Sequence, residues 1–280
     1  MPRRRLLLMA AFTLALPALA NAAEWSKSFR VTEAPTAEIF ASDANIRVTT
    51  WDRKEVRFSI TTHGWKIGDG GIRIRDSQDG NRVRVEVREP HFQFSFGSRS
   101  VLVEVQMPSA GQLDVVTGDG NVHAADLKGA LQIRTGDGQI VLDDIVGELN
   151  LDTGDGDIRV RNFSGAMTAH TGDGRIEVSG TVGALDLESG DGNILVEALN
   201  GSSVEGGWHI RTGDGNLTLR LPSSLDANLD AHTGDGSISS ELPIRASGEI
   251  RSRSIRGELN HGGPTIRLSS GDGNIRIESL

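Results

Sequence analysis

The sequence contains no cysteine and no tyrosine, and aromatic residues make up 4% of its 280 positions. Without cysteine there is no disulfide, no thiol nucleophile, no iron–sulfur cluster, no haem thioether and no lipidated N-terminal Cys. With so few rings, the chain has little material for the stacking platforms that hold sugars or single-stranded nucleic acids. Lys and Arg total 29 against 38 Asp and Glu, a formal charge of -9. That balance argues against a polyanion-binding surface, nucleic acid included.

Long apolar runs are confined to the start of the chain. Arg3, Arg4 and Arg5 precede an apolar stretch from Leu6 to Leu19, and Ala20-Asn21-Ala22 follows. A positive start, a short apolar run and a small-x-small tripeptide describe a secretory signal peptide. The run is shorter than the roughly 20 residues of a membrane span. Residues 1–22 are therefore expected to be removed before Ala23. The mature chain is expected to be exported, to a periplasm, cell surface or beyond, with no transmembrane segment.

Glycine is abundant, with 35 residues, well above the usual roughly 7%. Much of it lies in a repeat, the feature to read first. Gly-Asp-Gly recurs after Thr or Ser, with its aspartates at Asp119, Asp137, Asp155, Asp173, Asp191, Asp214, Asp235 and Asp272. Successive gaps are 18, 18, 18, 18, 23, 21 and 37 residues. The last gap spans two units, with a degenerate unit near Ser252 and Ile255.

Aligning the units produces apolar columns. Val122, Ile140, Ile158, Ile176, Ile194, Leu217, Ile238 and Ile275 follow each Gly-Asp-Gly-x. Ala124, Leu142, Val160, Val178, Val196, Leu219 and Ile277 stand two residues on. Leu131, Leu149, Met167 and Leu185 form a third column, with Ile133, Leu151, Ala169, Leu187, Ile210 and Ala231 beside it. Leu127, Ile145, Phe163 and Leu199 lie between the pairs. A period of two means strands with one buried face. Two Gly corners in 18 residues leave no uninterrupted helix.

An antiparallel meander would not force the same residues into every second turn, whereas parallel stacking places each unit on its copy. The expected fold is all-β: a single-stranded parallel β-solenoid (β-helix) of about 18 residues per coil. A lone coil buries too little to order itself, so several coils and covered ends are needed. Residues 111–280 are the expected β-solenoid repeats. Residues 23–110 are the expected strand-rich N-terminal cap and first coil. Ser42-Asp43-Ala44-Asn45-Ile46 echoes the coil pattern, and strands are expected at 55–60, 72–75, 82–88 and 101–105. His91 to Phe96 alternates three Phe on one face, as cap core or as an exposed strip. The far end is expected at Leu280, open for end-to-end association.

With the coil pattern, the x-Asn-Ile-x-Val coil at Asn45 and the lead-in Val105-Gln106-Met107-Pro108, the chain resembles a family. These are the exported bacterial β-strand-repeat domains of unknown function that carry the label "putative adhesin". The resemblance covers nearly all of residues 36–280. It implies a β-solenoid outside the cytoplasm and carries no catalytic residues to transfer. The Asp held between the glycines of almost every unit departs from the looser family pattern.

Two readings of the eight aspartates are open. Asp-Gly suits a tight turn with positive φ, the carboxylate accepting a local N–H. Alternatively, an in-register row of carboxylates forms a weak Ca²⁺ ladder. Ca²⁺ takes about 6–8 oxygens, and one Asp per coil supplies few. The outward column Arg134, Asp152, His170, Glu188, Arg211 and His232 is expected to pair across coils, as is Arg159 with Glu177.

No His pair has metal-site spacing, no Gly-x-Ser-x-Gly elbow appears, and Gly-Asp-Gly lacks the Lys and helix of a phosphate loop. No catalytic residue and no cofactor is assigned. The expected role is a non-enzymatic adhesin-like binding or envelope-structural module, its partner an envelope protein or a glycan. The alternatives are a carbohydrate-active β-helix enzyme, with residues 202–209 (including Trp208) and 222–228 the segments to search, and a Ca²⁺-binding repeat protein. A flat Thr array for ice binding is the remaining idea.

Overall fold

The structure, a computed structural model, describes residues 22–90, 99–246 and 252–280. Nearly all of the expected signal peptide and the His91–Phe96 strip lie outside the described residues. Among the described residues, 23 strands form one continuous sheet and no helix is present.

The first seven strands are β1 (Ala22–Arg30), β2 (Thr36–Ala41), β3 (Asn45–Trp51), β4 (Glu55–His63), β5 (Arg73–Asp79), β6 (Arg82–Arg88) and β7 (Ser100–Pro108). The middle of the chain forms β8 (Gln112–Val116), β9 (Val122–Ala125), β10 (Lys128–Thr135), β11 (Ile140–Asp143), β12 (Val146–Thr153), β13 (Ile158–Thr171), β14 (Ile176–Ser189) and β15 (Ile194–Ala198). The last eight are β16 (Trp208–Thr212), β17 (Leu217–Leu221), β18 (Ala227–Thr233), β19 (Ile238–Ser240), β20 (Ile244–Ala246), β21 (Ser254–Leu259), β22 (Thr265–Ser270) and β23 (Ile275–Ser279).

In the middle of the chain each unit lies parallel on the unit 18 residues further on. Leu131 sits beside Leu149, Leu149 beside Met167 and Met167 beside Leu185. Ile140, Ile158, Ile176 and Ile194 align in the same way. These columns are the core: each of the eight residues is at most 2% exposed. Pairing follows two ladders. One runs β5-β6-β2-β8-β10-β12, then through the second halves of β13 and β14 to β16, β22, β18, β21 and β20. The other runs β1-β4-β7-β3-β9-β11, through the first halves of β13 and β14, to β15, β17, β23 and β19. β13 and β14 have 14 residues each and belong to both. A single apolar cluster extends from Phe29 to Ile277.

Spatial order and chain order part company at both ends. The early coil β2–β3 stacks on β8–β9, as the Ser42–Ile46 echo predicts, with Ile46 beside Val122. Its other side is covered by β6–β7, which come later in the chain. β4 then adds antiparallel to β7, β1 to β4 and β5 to β6. The outer strands β1 and β5 are tied by a Lys27–Asp76 ion pair and by Gln78 Nε2 donating to the Arg30 carbonyl at 2.7 Å.

At the other end, β22–β23 lies between β16–β17 and β18–β19. Three expectations change as a result. The coil ending near Leu280 is internal rather than terminal. Residues around Ser252–Ile255 form no coil; β21 runs antiparallel on β18. His232 faces Ser269 rather than Arg211. β18 and β22 carry the same apolar columns, with Leu229 beside Ile266 and Ala231 beside Leu268.

Leu199 also departs from expectation. Gly180 stands beside Phe163 and Ala198 beside Gly180, so Ala198 fills the interior while Leu199 is 37% exposed.

Candidate functional site

The repeated corner is built from the inside outward. Thr117, Thr135, Thr153, Thr171, Ser189, Thr212, Thr233 and Ser270 are all buried, so this Thr column does not face solvent and the ice-binding idea falls. Thr153 shows the wiring. Its Oγ1 is directed at the Gly138 carbonyl of the preceding coil at 3.0 Å and the Gly136 carbonyl at 3.2 Å. The same oxygen accepts from the Gly156 N–H at 3.2 Å. Thr171, Ser189, Thr212, Thr233 and Ser270 likewise donate to a neighbouring coil's glycine carbonyl and accept from the glycine three residues on.

The second glycine of each corner is required by close approach. A Cβ on Gly156 would lie 2.1 Å from the Gly138 carbonyl oxygen. None of these Gly-Asp-Gly residues has a left-handed φ, so the positive-φ explanation is corrected here. Left-handed φ appears instead at the opposite corner, at Asp126 (61°), Asp144 (58°) and Asn162 (52°). Asp and Asn tolerate that region because their short side chains bond locally. This second stacked column, joined by Asn162 Nδ2 donating to Asp144 Oδ1 at 3.2 Å, was missed in the sequence. Its signal was the polar residue just before Leu127, Ile145 and Phe163.

The eight predicted aspartates fall at equivalent corners, every one exposed. Asp43 joins them through the early coil, its Oδ1 accepting from the Asp119 N–H at 3.2 Å. Through the stack the order is Asp43, Asp119, Asp137, Asp155, Asp173, Asp191, Asp214, Asp272, Asp235, because the last coil is inserted. Among the described residues, no three His, Asp or Glu side chains are grouped to hold a metal ion. Next to the aspartates runs a ladder in which a side-chain oxygen accepts the next coil's backbone N–H. Asn45 serves Asn121, Asn121 serves Gln139, Asp157 serves Arg175 and Asn193 serves Asn216, at 2.8–3.0 Å.

The outward columns pair as expected in several places. Arg159 Nε lies 2.9 Å from Glu177 Oε2, and Arg211 Nη2 2.5 Å from Glu188 Oε2. The Arg159 hydrogen bond holds the Glu177 carboxyl below the ordinary Glu value.

A less regular cluster sits where β6, β2 and β8 meet. Glu38 is 7% exposed although it points away from the core. Arg82 Nη1 lies 2.6 Å from its Oε1, and Arg84 Nη1 3.8 Å from its Oε2. Beside it, Asp114 Oδ1 is buried without a hydrogen-bond partner among the described residues. Burial first, then the Glu38 charge, push the Asp114 carboxyl above the ordinary Asp value. Glu38, Asp114, Arg82, Gln132 and Glu148 line a depression of about 310 Å³. Sequence reading missed this cluster, since carboxylates on outward strand positions look like ordinary solvated face.

In the segments singled out for an enzyme site, the apolar residues are packed into the interior. Trp208 is 0% exposed, and its Nε1 donates to the Ser203 carbonyl at 3.1 Å. In residues 222–228, Leu225 and Ala227 are buried, and the Leu225 carbonyl accepts from Asn260 Nδ2 at 2.8 Å.

These features define an all-β, solenoid-like repeat domain with polar corner columns and an apolar interior. The chain belongs to the Toastrack family DUF4097, whose pattern matches residues 37–278. It is thus a β-repeat domain of the kind labelled "putative adhesin", as the resemblance implied. No curated protein matches its sequence. A crystal structure from Parabacteroides distasonis, described as a "putative lipid binding protein", has a similar fold. It is 14% identical with a TM-score of 0.50, covering 91% of this chain and 96% of that one. A "putative adhesin" from Bacteroides fragilis is 14% identical over 92% of this chain and 97% of that one, with a TM-score of 0.42. A "putative cell adhesion protein" from Clostridium sporogenes is 14% identical over 93% and 100%, with a TM-score of 0.34. Among the described residues no helix is long and apolar enough to cross a membrane.

Proposed function

We propose that the chain is an exported, non-enzymatic module of the bacterial envelope that binds by repetition, in the manner of an adhesin. In this reading residues 1–22 direct export to the periplasm or cell surface. Residues 23–110 cap a parallel β-solenoid of about 18-residue coils, and an envelope protein or glycan is the partner. The observation that carries it is the sameness of the coils. Nine exposed aspartates stand at equivalent corners, and a catalytic site would single out unlike residues instead. Equal columns along a stiff stack offer many weak contacts at once, and avidity then exceeds any single contact.

The test is co-sedimentation of mature protein with isolated envelope fragments, repeated after deleting one 18-residue unit, residues 138–155. Binding that weakens on this deletion supports the reading. Absence of binding, or turnover of a polysaccharide that one Asp→Asn change abolishes, overturns it.

A further inference from the structure

We propose that β22–β23 is an exchangeable coil, and that a second copy of this chain can supply it. The edge of β16–β17 has two self-consistent occupants within one sequence. In the structure it holds β22–β23, with Trp208 beside Ile266, Ile210 beside Leu268 and Thr212 beside Ser270. β18 lies on the far side of β22 in the same register, with Leu229, Ala231 and Thr233 beside those residues. Placed directly on β16, β18 would set Leu229 on Trp208, Ala231 on Ile210 and Thr233 on Thr212.

The corner chemistry is interchangeable too. Ser270 Oγ donates to the Gly215 carbonyl at 3.0 Å, and Thr233 Oγ1 donates to the Gly273 carbonyl at 2.8 Å. Asn216 Oδ1 accepts from the Asn274 N–H, and Asn274 Oδ1 from the Ser237 N–H, both at 3.0 Å. The direct stack is also what the 21-residue spacing from Asp214 to Asp235 describes. Removing β22–β23 therefore leaves an edge that β18–β19 can close.

Two differences make the inserted order the ground state. Ile277 stands beside Leu219 where the direct stack would place Ser240. Arg220 Nε also meets Glu278 Oε2 at 3.0 Å. The linker to β22 is Asn260-His261-Gly262-Gly263-Pro264, with φ of 52° at Asn260 and 72° at Gly262. It is held by His261 Nδ1 to Asp226 Oδ1 at 3.1 Å and by Asn260 Nδ2 donating to the Leu225 carbonyl at 2.8 Å, contacts that a swap must open. A short linker that opens, joined to an element that fits an identical slot in a neighbour, is the arrangement that swaps between protomers.

The absence of cysteine makes the test clean. Arg211→Cys and Ser269→Cys, each alone in an otherwise full chain, are mixed, unfolded, refolded together at high concentration and oxidised. Arg211 and Ser269 are direct cross-strand partners, so a mixed disulfide dimer forms where one copy's β22 enters another's slot. Ser59→Cys on β4 with Ser269→Cys measures random collision. Mixed dimer well above that control is expected; a yield equal to it overturns the swap.

A second readout uses Arg211→Cys with His232→Cys in one chain. With β22 between them, these positions are two strand spacings apart, about 9.6 Å, beyond the roughly 7 Å that a disulfide bridges. Closure of this pair in mild denaturant is expected from the direct stack. Failure to close while the Arg211→Cys/Ser269→Cys double variant closes overturns the two-occupant edge.

Discussion

Thr153→Val isolates what the buried hydroxyl column does. Thr153 is 1% exposed, and valine fills nearly its volume without the hydroxyl. The substitution takes the donor from the Gly138 carbonyl and the acceptor from the Gly156 N–H. Each buried polar group left unpaired costs roughly 1–3 kcal/mol, so a loss of about 2–6 kcal/mol is expected from the two. Thr153→Ser keeps the hydroxyl and removes one methyl, at about 0.8 kcal/mol. The assay is equilibrium urea unfolding. With an m-value of about 3 kcal/mol per M, the valine variant's midpoint falls by about 0.7–2 M and the serine variant's by about 0.3 M. The m-value itself stays constant if the stack unfolds as one unit. If valine proves as stable as serine, or more stable, the hydroxyl ladder contributes nothing and the account of the Thr/Ser column is wrong.

Three further outcomes are expected. Asp114→Asn should raise stability at neutral pH. The folded Asp114 carboxyl lies above its unfolded value, so ionising it costs folding free energy once pH exceeds the folded value. Thermal melts should show the gain fading as pH falls through the raised value and absent below the unfolded one; a gain that persists in acid refutes the assignment. Trp208→Ala should cost about 3–5 kcal/mol in urea unfolding through the cavity it leaves, and retained stability would mean the tryptophan is not a core residue. Asp155→Asn, at an exposed corner, should stay within about 0.5 kcal/mol of wild type. Ca²⁺ should shift the melting of neither protein beyond an ionic-strength control, and a Ca²⁺ shift lost with several such changes would restore the ladder reading.

The period-two columns made the strands and the 18-residue stacking legible, because coil-to-coil contact imposes the same residue at the same height. Ile140, Ile158, Ile176 and Ile194 say this by themselves. Strand direction at the ends was not legible. β4 and β18 alternate in the same way, yet one pairs only antiparallel and the other in both senses. Coil order was hidden for a related reason: residues 227–240 and 265–279 present matching columns, and periodicity cannot rank equals. At the corner, the Gly positions stood out, but their cause is close backbone contact between coils rather than a positive-φ turn. Glu38 and Asp114 were hidden because burial on an outward face depends on neighbouring Arg side chains, which strand alternation does not encode.

That the stack is closed by irregular elements, β1 and β5 at one end and β19 and β20 at the other, has a consequence for length. Both closures lie outside the span from β10 to β14, which is a run of near-equal 18-residue steps. Extra units spliced there would leave both closures intact and push them apart by about 4.8 Å each. The length of the stack can therefore change by adding or removing units in the middle without any redesign of its ends.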